Sequence, residues 1–251
     1  MIRYYARQNG KIREVSGIAD APWINLHPPY EDGELDSFST QLGLTADYFT
    51  DPLDIEERAR YERFDEARSI ILHTPVINES AKENEAVYIT IPLGIILTQG
   101  KLITVCSSEI PVLEKFIESR IRGFDPSNER LFILQIMEQN VLYFLELLKK
   151  LNIRRSLIEQ ELYHSSRSEE LRSLLRIEKS LVYFVNSLNS NELLKIKMRR
   201  TDFLGVKDNE DYTELYEDIV IDNNQAREVA QLYTNILNGT MEAYASIISN
   251  N

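Results

Sequence analysis

From Asn128 to its end the chain contains no proline and only two glycines, Gly205 and Gly239. So long a stretch without helix breakers calls for long helices. Leu134, Met137, Val141, Phe144, Leu148 and Leu151 recur at helical spacing and form the apolar stripe of a first helix. Leu171, Leu174, Leu181, Leu188 and Leu194 form the stripe of a second. The polar break "HSSRS" between them is short, which predicts an antiparallel helix hairpin. Ser166, followed by Glu169, has capping-box spacing. After a second break, "TDFLGVKDN", a third helix is expected to start with Asp208 as N-cap. It runs about 40 residues, or ~60 Å, too long to pack only on a small domain of its own. Its stripe is Tyr212, Ile219, Ala226, Tyr233, Thr240 and Ile247, with a partner line through Leu215, Val229, Leu237 and Tyr244. Asp222, Asn223 and Thr240 interrupt the seam. Two readings follow: a bundle core with tolerated defects, or a subunit interface around a partly wet axis. The closing "MEAYASIISNN" keeps helical spacing with no glycine cap and no proline stop, so the helix is expected to continue past it.

The first half reads as strands with short helices between them. "IRYYARQ" and "KIREVSG" flank Asn9-Gly10, a two-residue hairpin signal. "PWINLHPP" reads as a short strand, "DGELDSFSTQLG" as a helix stopped by Gly43. "ARSIILHTPVI", "AVYITIPLGIIL" and "KLITVCSS" read as three strands, the last two joined at Thr98-Gln99-Gly100. "IPVLEKFIESRIRG" reads as a helix with Pro111 in its first turn. The expected class is α+β, a mixed sheet sandwiched between helices (α/β/α), followed by the helix hairpin and a long stalk helix. The expected divisions are 1–125, 126–205 and 206–251.

Charge narrows the function. Forty acidic residues against 28 basic give a net charge of −12, unsuited to nucleic acid and suited to cations or a basic partner. The single Cys106 excludes an internal disulfide and a thiolate metal cluster, and its strand context predicts a buried, inert thiol. His27, His73 and His164 are isolated, with no nucleophile partner, phosphate loop or paired-His zinc motif, so no enzyme is expected. No uninterrupted run reaches the ~18 apolar residues of a membrane span, and the first residues lack a signal core, which predicts a soluble intracellular chain.

The segment "DNEDYTELYEDIVID" (208–222) carries no basic residue. Asp211, Glu214, Asp218 and Asp222 fall on one helical face, where like charges cost a few tenths of a kcal/mol per pair. The helix N-terminus offsets that only near Asp211. The face is either solvated or meets a cation, and oxygen-only donors favour Mg²⁺, Ca²⁺ or Mn²⁺ over zinc. Asp51, before Pro52, reads as an N-cap or as a carboxylate exposed to a neighbour.

"PWINL", "LGL", "TDPLDIEERARYERFD" and the tail "YASIISNN", in that order, resemble the cytoplasmic domain of CorA-type divalent-cation transporters. The resemblance implies a homopentameric funnel at the cytoplasmic face of the cell (inner) membrane. It also implies two membrane helices after the stalk, absent here along with the family's Gly-Met-Asn motif. Regulatory Mg²⁺, with Co²⁺ as the alternative, would sit between the sheet domain of one subunit and the stalk of the next. By that resemblance the ligands fall on Asp51 and Asp218, with Glu214 or Asp222 as substitutes and Glu242 on the pore axis. A third contributor would fall near Met137, with Glu138 adjacent. Thr50 replaces a Glu that some members carry, which weakens any second site. The implied function is gated Mg²⁺ transport with this chain as the sensor. The alternatives are a zinc-transporting relative and a metal-free helical scaffold.

Overall fold

The computed structural model describes residues 1–164 and 168–249. Ser166 and Asn250 lie outside them. Seven strands form one mixed sheet in the order β2-β1-β3-β7-β6-β5-β4. They are β1 Ile2–Gln8, β2 Lys11–Glu14, β3 Trp23–Leu26, β4 Arg60–Arg63, β5 Arg68–Ile77, β6 Tyr88–Thr98 and β7 Lys101–Cys106. Among the described residues, only β3 and β7 pair in parallel, and every other neighbour is antiparallel. The helices are α1 Glu34–Leu42, α2 Asp47–Thr50, α3 Pro111–Ile117, α4 Glu129–His164, α5 Ser168–Arg200 and α6 Glu210–Ser249.

Two tight turns follow from residue type. Asn9-Gly10 and Gln99-Gly100 each have positive φ at both positions, the geometry that matches strand twist in a two-residue hairpin. Alternation along the strands then sorts the sheet's faces. Trp23, Leu93, Ile95 and Leu102 face a large core shared with α3 to α6. Ile24, Leu26, Ile96, Ile103 and Val105 face a smaller core with Phe38, Leu42 and Phe49 of α1 and α2.

The helical half is antiparallel where predicted. Phe144 of α4 meets Phe184 of α5 edge-on at 5.3 Å, while Asn140 and Asn191 meet at the same strand residue, His73. Rising numbers on α4 thus face falling numbers on α5. α6 packs on both and lies outside them, away from the sheet. By length and composition Glu129–Leu162 could cross a membrane, but 67% of its apolar window is buried, which marks it as the core helix. All six residues of its predicted stripe are buried.

Three local expectations are corrected. The helix predicted over "IPVLEKFIESRIRG" stops at Ile117. Ser119 turns to φ 58°, the Arg120 N–H returns to the Lys115 carbonyl, and Ser119 Oγ accepts the Ile12 N–H. The cap of α6 is Asn209, whose Oδ1 accepts the Tyr212 N–H at 3.0 Å; Asp208 is held instead by Arg130 at 3.0 Å. The partner line on α6 runs through Tyr216, Asn223, Ala230 and Leu237, one residue past Leu215 and Val229.

Candidate functional site

The acidic corner is positioned by a close approach. The 3-10 turn Asp51–Leu53 continues α2, and its Pro52 seats on the sheet opposite Gly94 of β6. A Cβ on Gly94 would lie 2.5 Å from Pro52 Cγ and 2.7 Å from Val105 Cγ1. Only glycine lets the turn sit this deep. Gly94→Ala is therefore expected to lower stability by about 1–3 kcal/mol, the usual cost of overpacking, measured by chemical denaturation.

Asp51 does not cap a helix with its side chain. Its carboxylate accepts a bond from Arg60 Nη2 at 2.9 Å, and Arg60 also holds Glu57 and Glu62. Burial is the largest influence on Asp51 and pushes its carboxyl up; Arg60 opposes this, and the like charges of Glu57 and Asp47 reinforce it. Asp51 opens onto a cavity of about 340 Å³ whose rim carries Asp47, Arg60 and Glu62 beside the Tyr48 and Phe64 rings. One guanidinium is thus shared among three carboxylates, so negative charge at this corner is only partly met.

The second acidic group lies on α6. Among the described residues, Asp208 is the one acid of 208–222 with a cationic partner, Arg130. Asp211, Glu214 and Asp218 are exposed and Asp222 is half-buried. Glu138 of α4 faces this group. Burial first, then Asp222 and Asp218, push its carboxyl above the usual range. A raised carboxyl costs stability above its folded pKa and regains it when protonated, so this cluster opposes folding at neutral pH unless a cation offsets it. Glu242 sits on the exposed face near the end of α6.

The layers keep the two groups apart within one chain. Asp51 stands on the α1–α2 side of the sheet, and Asp218 stands on α6 beyond α4 and α5. Among the described residues, no three His, Cys, Asp or Glu side chains converge to hold a metal ion. Glu138 nonetheless feels Asp218 and Asp222, because a field reaches further than a coordination bond. All the donors are carboxylate oxygens, a set that suits a hard, hydrated divalent ion. Sequence reasoning missed the company of Asp51: Asp47 stands one helical turn before it, while Glu57 and Arg60 reach it across irregular backbone. Cys106 is buried as predicted, its thiol pushed up to about 12 by burial.

A family model for the "CorA-like Mg2+ transporter protein" matches residues 19–251. The cobalt/magnesium transport protein CorA of Methanocaldococcus jannaschii is 25% identical over 229 residues, spanning 90% of this chain and 69% of that protein. The solved soluble domain of CorA from the same organism superposes with a TM-score of 0.80 at 22% identity, over 96% of this chain and 95% of that one. The cytoplasmic domain of ZntB from Vibrio parahaemolyticus superposes with a TM-score of 0.73 at 11% identity, over 99% of this chain and 98% of that one. At such identities the structural likeness is one of fold.

Proposed function

The chain belongs to the CorA-like Mg²⁺ transporter family, and on that premise we propose that it is the Mg²⁺-sensing, gating domain of a divalent-cation channel. In this reading the sheet region, 1–125, is the sensor, 126–205 a rigid hairpin and 206–251 the stalk. The domain stands at the cytoplasmic face of the membrane as part of a homopentamer and performs no catalysis. The observation that carries the reading is the pair of under-compensated carboxylate groups, Asp51 with its neighbours and Asp218 with Asp222 and Glu138, on opposite sides of the layer stack. A face on each side of one protomer suits a ring, where Asp51 of one subunit meets Asp218 of the next. Glu214 and Asp222 extend the stalk face, and Glu242 would fall on the axis.

Bound Mg²⁺, with Co²⁺ as the alternative, supplies positive charge between protomers. Without it the facing carboxylates repel and the ring loosens. Weak sites suffice. Ligand at ten times its Kd contributes roughly 1.4 kcal/mol per site, so five sites give about 7 kcal/mol. A switch from 1:99 to 99:1 needs about 5.5 kcal/mol.

The test is protease resistance of the whole transporter in membranes, with and without Mg²⁺. Wild type is expected to be protected by Mg²⁺, and Asp51→Ala combined with Asp218→Ala to lose that protection. Undiminished protection in the double variant would end the sensor reading. Calorimetry with Mg²⁺ and Zn²⁺ separates it from a zinc-transporting relative, and heat from neither ion would leave the scaffold.

A further inference from the structure

Lys195 lies inside the α5–α6 interface with only 1% of its surface exposed. Lysine is among the residues least often fully buried, and when buried it is usually paired with a carboxylate. Here its Nζ donates to a neutral amide, Asn223 Oδ1, at 2.8 Å. Asn223 Nδ2 donates in turn to the Leu188 carbonyl at 3.1 Å, and the Tyr216 hydroxyl donates to the Lys195 carbonyl at 2.6 Å. Residues 216 and 223 of α6 are thus stitched to 195 and 188 of α5 by one polar chain. Small Ala226 and Ala230, both fully buried, let the helices close around it.

We propose that Lys195 is a proton-operated latch: uncharged, it lets α6 seat on α5, and charged, it drives the two helices apart at Asn223. An ammonium carries three donors and needs solvent or anionic acceptors, and among the described residues Nζ meets one acceptor, the neutral Asn223 Oδ1. Burial lowers the amine to about 7, which leaves much of it uncharged near neutrality. Among the described residues, α5 contributes Glu192, with Arg199 acting on Tyr216, and α6 contributes Arg227 and the neutral phenol of Tyr216. Glu192, the one charge whose field acts on the amine, is already engaged by Arg227 at 3.0 Å. The strands under α5 contribute Tyr61 and His73, and α4 contributes Glu138 toward Asp218 and Asp222. Burial lowers His73, so it stays neutral in the window that matters, and Tyr216 is raised out of it. The latch holds the helix one residue beyond Asp222, so it links proton concentration to the seating of the acidic face without calling on a metal.

The sign follows from linkage. The seated amine has the lower pKa, so the released state binds the extra proton, and seating strengthens as pH rises from the seated pKa toward the free value. The test is hydrogen exchange of α6 amides in metal-free buffer, corrected for intrinsic exchange, from about pH 7.5 to about pH 9.5. In wild type the opening constant is expected to fall by about tenfold per pH unit, and Lys195→Met to flatten that slope. Equal slopes in both proteins overturn the proposal. Should the variant fail to fold, lysine ¹³Cε titration of wild type decides: one amine titrating near neutrality supports the latch, and all amines titrating above about pH 10 refute it.

Discussion

Asn191→Leu is expected to destabilise the chain by about 3 kcal/mol although it keeps the same branched side-chain shape. The reason lies in the sheet. β4 ends opposite Ile71, so His73, two residues further along β5, has no strand on that side, while β6 lies on its other. Its N–H donates to Asn191 Oδ1 at 2.9 Å, and its carbonyl accepts from Asn191 Nδ2 at 2.8 Å and from Asn140 Nδ2 at 2.9 Å. Two helical asparagines thus replace the missing strand. Asn191 is fully buried, so leucine there leaves the strand N–H without a partner and without water. Asn140→Leu is expected to cost much less. Asn191 still serves the same carbonyl, and Asn140 Oδ1 already lacks a partner, so leucine removes an orphan as well as a bond. Denaturation monitored by Trp23 fluorescence measures both. Equal losses would mean that packing, not the hydrogen bond to the strand N–H, sets the cost.

The same residues show what a sequence can and cannot say. Strands, turns and helix stripes were legible because they depend on local pattern: period two in "ITIPLGIIL", period 3.6 from Leu134 to Leu151, paired positive φ at Asn9-Gly10. The family resemblance, carried by soft motifs in a fixed order, agrees with the family match. The seam of α6 was harder. Asn223 looked like a defect, which moved the inferred partner line by one residue; Lys195, 28 positions upstream, is what makes a buried amide there worthwhile. Asp51 could be flagged from Asp-Pro, but its pairing with Arg60 crosses an irregular loop and leaves no periodic trace. Glu138 was adjacent to the expected third acid, yet its approach to Asp218 and Asp222 depends on how α4 and α6 turn toward each other.

The largest loss is expected from Phe132→Ala, about 3–5 kcal/mol. Phe132 is wholly buried at the start of α4 and packs on three other rings. It meets Trp23 of β3 edge-on at 5.1 Å, Phe124 at 4.5 Å and Phe116 of α3 at 5.3 Å. Removing it takes the common contact from all three, and the rigid sheet beneath cannot collapse to fill the gap. This cluster belongs to one contiguous core that runs from Trp23 through Phe144 and Phe184 to Ala226 and Leu237 of α6. If that continuity governs unfolding, fluorescence of Trp23, which probes the sheet, and helical circular dichroism, which probes mostly α4 to α6, will move together in wild type and in Phe132→Ala alike. Separate transitions would mean that the sheet and the helices unfold independently, and that the ring cluster joins two units instead of filling one. In the sensing reading this matters directly. A protomer that melts as one body carries displacement at Asp51 to the stalk as a rigid shift, whereas a protomer that melts in two parts loses that shift at the α4 anchor.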